Sequence, residues 1–255
     1  MNKKQVGAWA LFDFANSVYP AVITTTVFSI YYVGTIVGNE GGRGQWWWGL
    51  CVAVSALIVA VTSPLLGAIA DRGGARKKFM LAYTVICLVG VLLMTTLRPG
   101  MVVAGFVIFV IANVGFESAL VFYNAYLPDI APPEKQGWIS GLGFGVGYLG
   151  SALGLLMVLP FATSRTELVW LLVAAFFLLF SLPAFLYLPP DRAGEMSVPQ
   201  AARWGITNFP EIVRAVWQLK ELRNFLIAFF FYIDGVLTII VSAGTVATET
   251  FGFTF

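Results

Sequence analysis

The chain contains no histidine and very few charged residues. Of its 255 residues, 59% are hydrophobic and 11% are charged, whereas soluble domains are about one quarter charged. Without histidine there is no imidazole base and no histidine-ligated metal, which leaves carboxylates as the proton carriers near neutral pH. The net charge is only +2, and the scattered basic residues exclude the clustered surface of a nucleic-acid-binding protein. We therefore expect a membrane protein with no nucleic-acid partner, no metal and no cofactor.

Cysteine is also scarce. Only Cys51 and Cys87 are present, and both lie in apolar segments, where a thiol usually behaves as a small hydrophobic group. Neither a disulfide framework nor a cysteine metal site is predicted. An intramembrane enzyme would need a nucleophile with a base, or a metal cluster, and this inventory supplies neither. We do not expect an enzyme.

Long apolar segments make up most of the chain, and the lipid bilayer is therefore its first expected partner. A helix needs roughly 20 mostly apolar residues to cross a bilayer. Seven such spans are predicted, at residues 6–37, 46–70, 79–97, 101–127, 136–160 and 168–188, with a seventh from about residue 224 to the chain end. Within the fifth span, Gly143, Gly147, Ser151 and Gly154 recur at a spacing typical of close helix packing.

Basic residues are distributed unevenly between the two ends of these spans. With a cytoplasmic N-terminus, the cytoplasmic connections carry Lys3, Lys4, Arg72, Arg76, Lys77, Lys78, Lys135, Arg192, Arg203, Arg214, Lys220 and Arg223, and the opposite side carries Arg43, Arg98 and Arg165. The positive-inside rule therefore predicts a cytoplasmic N-terminus. The three tryptophans from residue 46 then lie at the outer interface, as anchoring aromatic residues do.

The longest polar connection, residues 189–223, separates the sixth span from the seventh. It divides the chain into an N-terminal six-span bundle at residues 1–188, a cytoplasmic inter-bundle loop, and the start of a second bundle at residues 224–255. Within the loop, Asn208 is expected to cap a helix that has Pro210 in its first turn. Its apolar side would consist of Ile212, Val213, Val216, Leu219 and Leu222. This pattern predicts an interfacial helix on the membrane surface.

A short loop between the second and third spans combines glycines with charges in the order GAIADRGGARKK, from residue 67. A basic turn that only sets topology would explain the Arg and Lys residues, but not the glycines and the aspartate at these spacings. The loop resembles that of the major facilitator superfamily in composition, order and position. The resemblance implies an all-α major facilitator fold in which Gly67, Asp71, Arg72, Gly74 and Arg76 form a conformational latch between two bundles.

Three further stretches narrow the resemblance: residues 8–17, 122–131 and 232–236. Together they are similar to the branch that contains the fungal vacuolar amino-acid effluxers linked to autophagy, and their bacterial relatives. Members of this family have twelve spans, so the simplest expectation is that the chain is a fragment of a longer reading frame. The resemblance implies an amino acid as the solute.

Acidic residues interrupt the first, fourth and seventh spans, at Asp13, Glu117 and Asp234. An ionisable side chain inside a membrane is costly, so it predicts a functional site. At 100° per residue each carboxylate lies in a polar stripe. The stripes are Asp13, Ser17 and Thr24 with Asn16 alongside; Asn113, Glu117 and Asn124; and Asp234, Thr238, Ser242 and Thr245.

In major facilitators these three spans line the central cavity, which implies substrate-binding or proton-coupling roles for seven residues: Asp13, Asn16, Asn113, Glu117, Asn124, Asp234 and Thr238. Two alternatives remain open. Asp13 lies only about 10 Å along the helix from Val6, so it could simply lie at the interface. Glu117 and Asp234 could form structural hydrogen bonds. The polar residues of the first and seventh stripes follow their aspartates at the same spacings. A parallel repeat of two six-span halves would produce this match.

These features predict a multi-pass secondary transporter in the plasma or bacterial inner membrane. It would move a small solute, an amino acid by resemblance, through alternating access, with protons as a candidate coupling ion. The alternative is a membrane receptor or assembly subunit that transports nothing.

Overall fold

The structure, a computed structural model, describes residues 2–191 and 193–251, without the side chains of residues 241, 244, 245 and 248–251. Arg192 and the side chain of Thr245, both used in the sequence-based predictions, therefore lie outside the described residues. Every regular element in the described part is a helix. The predicted all-α architecture is confirmed.

Within the described residues, seven helical segments are long and apolar enough to cross a membrane, as predicted. They are Lys3–Val37, Glu40–Arg72, Arg76–Thr96, Val102–Ile130, Pro133–Phe161, Thr166–Tyr187 and Lys220–Ile240, the last lying within a helix that runs from Lys220 to Phe251. The bounds of the first six spans lie within three residues of the predicted ones, apart from the start of the second span, which is Glu40 instead of residue 46. The first span, for example, begins at Lys3, where the backbone N–H of Lys4 donates to Asn2 Oδ1 at 3.0 Å.

The first span is not a continuous α-helix. An α-helix over Lys3–Asn16 is followed by a π-helical segment at Pro20–Thr25, a short α-helix at Val27–Ile30 and a second π-helical segment at Tyr31–Val37. Pro20 has no backbone N–H to donate to the preceding turn, which weakens the regular α pattern there. The hydroxyl of Thr26 donates to the carbonyl of Ala21 at 2.7 Å, five residues earlier. The wider turns change which side chains face the neighbouring spans.

Four aromatic side chains, each from a different span, pack against one another in the bundle. The rings of Phe28 and Phe109 stack with centroids 5.9 Å apart, and Trp48 meets Phe109 edge to face at 4.7 Å. Trp170 of the sixth span meets Phe28 at 5.5 Å. All four side chains are buried. Because each belongs to a different span, this cluster fixes the first, second, fourth and sixth spans against one another.

Glycines of the fifth span form a groove for the first span. A Cβ atom on Gly143 would lie 2.6 Å from the Trp9 ring, and one on Gly150 would collide with the backbone carbonyl of Phe14. The hydroxyl of Ser151 also donates to the Ser17 carbonyl at 3.0 Å across the same contact. The structure thus confirms that the small residues of the fifth span serve close helix packing.

The helix between the sixth and seventh spans begins earlier than predicted. It spans Val198–Gln218, and the backbone N–H of Ser197 donates to Gln200 Oε1 at 3.1 Å in a capping-box arrangement. Asn208 is not its N-cap: its Nδ2 donates to the carbonyl of Trp204 at 2.9 Å, inside the helix. Pro210 likewise lies in the helix interior. Ser197 and Gln200 were the stronger start signal in the sequence.

This helix, called the linker helix below, has one packed side and one apolar exposed side. Buried Ala201 and Gly205 contact the second span, where a Cβ on Gly205 would lie 2.7 Å from the Cβ of Ala68. The exposed apolar side consists of Ile206, Phe209, Val213 and Trp217, which lie within about 80° of one another at 100° per residue. Leu219 is the C-cap, so Leu222 belongs to the next helix, contrary to the predicted apolar side.

Candidate functional site

A cavity of about 460 Å³ lies between the first, fourth and fifth spans. Its polar lining residues are Asp13, Asn16, Ser17, Thr25, Tyr123, Asn124, Ser140, Tyr148 and Ser151. The size falls within the ~300–1,000 Å³ of small-molecule sites in proteins. Three of the predicted site residues, Asp13, Asn16 and Asn124, therefore meet at one cavity.

Asp13 is positioned by the last turn of the first α-helix and by the glycine groove. A Cβ on Gly143 would lie 3.0 Å from Asp13 Oδ2, and a Cβ on Gly147 would lie 2.7 Å from Ser17 Oγ. The absence of side chains at these two glycines leaves the space that the carboxylate and the hydroxyl occupy. Asp13 is half-buried, and no ion pair involves it among the described residues.

Two polar groups of the cavity lining lack standard hydrogen bonds. The Asn16 amide lies beside the Asp13 carboxylate, but its Nδ2 forms no hydrogen bond of standard geometry with the described residues, and neither does the Tyr123 hydroxyl. Asn16 is 3% exposed and Tyr123 2% exposed. Buried polar groups are nearly always hydrogen-bonded, and an unsatisfied one typically costs about 1–3 kcal/mol. Both atoms are themselves inaccessible to solvent in this structure, although their residues line the cavity.

The predicted polar stripe of the first span changes beyond Asn16. The cavity is lined by Asp13, Asn16 and Ser17 as expected, but Thr25 takes the place of Thr24. The prediction assumed 100° per residue throughout, and the π-helical segment Pro20–Thr25 has wider turns. Thr24 is thus not part of the lining.

The stripe predicted on the fourth span divides between two neighbours. Asn124 lines the cavity, whereas Asn113 donates from Nδ2 to Ser55 Oγ of the second span at 3.0 Å. Glu117 is half-buried between them and is not part of the cavity lining. The fourth span thus directs one amide toward the cavity and uses the other to hold the second span.

The seventh span supplies less to this cavity than the sequence suggested. Asp234 and Thr238 are exposed, and neither is in the lining. The seventh span contributes Ile240 instead. Its helix contacts the first span along Pro20–Thr25 and Val27–Ile30. The structure therefore places Asp13 in the cavity and leaves the predicted roles of Glu117, Asp234 and Thr238 as predictions.

The loop between the second and third spans lies in a dense polar network. Arg76 forms an ion pair with Asp129 at 2.6 Å, and its Nε donates to the carbonyl of Ala70 at 3.3 Å. Its guanidinium also lies 5.0 Å from the ring centroid of Tyr126. Arg76 therefore ties the second span to the end of the fourth.

Lys77 and Asp191 join the ends of two other helices. The Lys77 ammonium donates to the carbonyls of Phe185 and Leu188, at 3.1 and 2.6 Å, where the sixth span ends. In return, Asp191 Oδ1 accepts from the backbone N–H of Lys77 at 2.7 Å, in the first turn of the third span. A cation at a helix C-terminus and an anion at an N-terminus both complement the helix dipole. The two spans thus cap each other.

Arg72 contacts the residues that precede the linker helix. It forms an ion pair with Glu195 at 3.1 Å, and its guanidinium lies 4.0 Å from the Trp204 ring centroid. Its carbonyl accepts from the backbone N–H of Met196 at 3.2 Å. A Cβ on Gly194 would lie 2.5 Å from that same carbonyl. Residues 191 and 193–196, called the strap below, are therefore packed directly on this loop.

The other residues of the predicted latch play different parts. Gly74 has a φ of +60°, a left-handed conformation that glycine adopts without strain. Asp71 is exposed and forms no ion pair within the described part of the chain. Gly67 and Asp71 both line a second cavity, between the second span and the linker helix. The contacts of Arg72 and Arg76 lie within the six-span bundle and the linker, so the latch between two bundles stays a prediction.

Several cavity and network residues were missed in the sequence. Tyr123, Phe144 and Tyr148 line the cavity, and Lys77 and Asp191 cap the helix ends. Tyr123 directly precedes Asn124, and Phe144 and Tyr148 each follow a groove glycine, so adjacency to predicted residues was an available signal. The pairing of Lys77 with a loop more than 100 residues away had no local signal.

In the described part of the chain, seven apolar helices and a mainly apolar cavity that contains one carboxylate define a polytopic, all-α membrane protein. The family model of the Atg22-like vacuole effluxers matches residues 49–254. The chain belongs to this family, and with it to the predicted branch of the major facilitator superfamily.

Individual relatives are bacterial and fungal. The uncharacterized MFS-type transporter YxiO of Bacillus subtilis is 28% identical over 260 residues, which cover 96% of this chain and 60% of the relative. An uncharacterized protein of Aquifex aeolicus is 26% identical, covering 87% of this chain and 55% of the relative. Autophagy-related protein 22 of Coccidioides immitis is 26% identical, covering 73% and 42%. The chain thus spans about half the length of these curated relatives, and no solved structure matches it at a significant level.

Proposed function

We propose that the chain supplies the solute-binding half of a secondary transporter that moves an amino acid by alternating access. The observation that carries the proposal is the cavity, which is lined by the Asp13 carboxylate, a group with no ion pair among the described residues. Transporter sites typically lie near the membrane midplane at the interface between structural repeats. Family membership and a relative named as an MFS-type transporter support the same reading.

Asp13 is the proposed coupling group. An isolated intramembrane carboxylate must be paired, hydrated or protonated, and a solute ammonium or a proton would meet that need. Glu117 and Asp234 stay candidates for a second coupling site. Alternating access requires at least two conformations, and these carboxylates can have different partners in each of them. The membrane is proposed to be the plasma or bacterial inner membrane.

The test is transport by the complete gene product in proteoliposomes, measured as pH-gradient-driven uptake and as counterflow across a panel of amino acids. Asp13→Asn should lower gradient-driven uptake by at least about 100-fold if the carboxylate carries the coupling proton or the solute cation. Glu40→Gln is the matched control, because this carboxylate is exposed in the turn at Glu40–Gly42. Uptake that is unchanged in Asp13→Asn would remove Asp13 from the mechanism. No counterflow of any solute by the wild type would favour a receptor.

The end of the bundle that carries the strap is proposed to face the cytoplasm, on the basis of the basic-residue distribution. A cysteine at exposed Ala193 should then react with an impermeant maleimide only after the cells are opened. Reaction in intact cells would reverse the topology.

A further inference from the structure

The cavity around Asp13 has a one-sided charge. Asp13 is its charged lining residue, and none of the described lining residues is Lys or Arg. The other polar groups of the lining are amides and hydroxyls of Asn, Ser, Thr and Tyr residues. An anionic group would meet a like charge here with no basic partner, whereas a cationic group would meet the carboxylate directly.

Two aromatic rings of the fifth span add to this preference. Phe144 and Tyr148 line the cavity four residues apart, on one face of their helix, and are 66% and 74% exposed. The Trp9 and Tyr123 rings, by contrast, stack on each other with centroids 4.6 Å apart. The open faces therefore belong to Phe144 and Tyr148. Aromatic faces attract organic cations, and more strongly where water is excluded.

The surroundings of the carboxylate favour a small cation. Gly143 and Gly147 bring the fifth span close to Asp13 and Ser17, so the space beside the carboxylate is narrow. A primary ammonium group also supplies three hydrogen-bond donors, whereas a quaternary group supplies none.

From these observations we propose that the cavity recognises the primary ammonium group of its solute, with Asp13 as counter-ion and Phe144 and Tyr148 as flanking aromatic faces. This inference rests on the proposed function and makes it specific. An amine that lacks the carboxylate should still bind, and a carboxylic acid that lacks the amine should not. Acidic amino acids should be the poorest amino-acid ligands.

Binding to the purified gene product tests the inference independently of transport. The probes are two matched series: 3-methylbutylamine, leucine and 4-methylpentanoate, and ethylamine, alanine and propionate. Thermal stabilisation and tryptophan fluorescence report binding, and counterflow is measured in parallel. In at least one series, the amine and the amino acid should bind at least about tenfold more tightly than the acid.

Variants assign the effect to the named residues. Asp13→Asn should abolish the preference for the amine over the acid, while Asp13→Glu should keep it. Phe144→Leu should weaken amine binding by about two- to fivefold, the range of one cation–π contact at an exposed site. Leu149→Ala, on an exposed face of the same helix and outside the lining, is the control.

The outcomes separate the inference from the transport proposal. Amine-selective binding without counterflow supports the inference and contradicts transport. Counterflow that the acids inhibit as strongly as the amines supports transport and overturns the inference. Binding of none of the six probes, or a preference that survives in Asp13→Asn, also overturns it.

Discussion

The two polar regions of this bundle are built in opposite ways. In the loop and strap, the side chains of Arg72, Arg76, Lys77 and Asp191 each have defined partners between 2.6 and 3.4 Å. In the cavity, Asp13 has no ion pair within the described chain. The four charged side chains of the loop and strap are therefore paired, whereas the cavity carboxylate is not; a buried hydroxyl without a hydrogen bond occurs in each region, at Tyr126 and at Tyr123.

This difference suggests that one region mainly stabilises the fold and that the other mainly serves function. Paired charges hold the bundle together, so changes there should lower the free energy of unfolding. Unsatisfied groups cost stability, and proteins keep such groups mainly where a ligand completes them. The comparison therefore predicts that loss of the paired Lys77 side chain should cost the most stability, and that loss of the unpaired Asp13 carboxylate should cost the least.

The largest effect is expected at Lys77. Lys77→Met should lower the free energy of unfolding by about 2 kcal/mol, because it removes two charged hydrogen bonds to helix-end carbonyls. Lys78→Met is the matched control, since Lys78 is exposed and contributes its backbone N–H to Asp191. Denaturant titration in micelles measures both. Equal losses of stability at the two positions would mean that the positive charge, and not the two hydrogen bonds of Lys77, stabilises the fold.

Next comes the glycine groove that borders the cavity. Gly143→Ala should cost about 1–2 kcal/mol and also weaken solute binding, because the new Cβ would displace the Trp9 ring and the Asp13 carboxylate. Gly145→Ala is the control, since a Cβ at that position meets nothing within 4 Å. The same titration, with solute binding measured alongside, compares them. If Gly143→Ala left both the free energy of unfolding and solute binding unchanged, the groove would be able to widen without cost.

A smaller effect is expected at the exposed ion pair of the loop. Arg72 and Glu195 keep 37% and 69% of their side-chain surface exposed, and pairs of this kind contribute about 0–1 kcal/mol. Arg72→Gln, Glu195→Gln and the double variant form a double-mutant cycle. Its coupling energy should be below about 1 kcal/mol and should shrink at high salt. A larger coupling would indicate that the strap depends on this pair.

Much of the fold could be predicted from the sequence, and the failures have physical causes. Apolar length alone located the spans, because every backbone polar group in a bilayer must be satisfied within a helix. The stripe on the first span failed after Asn16, because Pro20 precedes a π-helical segment that helical projection does not include. Asn208 was mistaken for a cap because Ser197 lies outside the apolar periodic segment. The pairing of Lys77 with the strap depends on tertiary contacts that local patterns do not encode.

The smallest effect on stability is expected at Asp13, where the effect on function should be largest. Asp13→Asn removes a half-buried charge that has no ion pair among the described residues, so little favourable interaction is lost and the cost of burying the charge is relieved. The free energy of unfolding should therefore stay within about 0.5 kcal/mol of the wild-type value or rise. The measurement is the denaturant titration used for Lys77→Met, run on the same preparation that is assayed for transport. A loss of 2 kcal/mol or more, comparable to the Lys77→Met estimate, would mean that Asp13 is a structural residue, and the contrast between the two regions would fail.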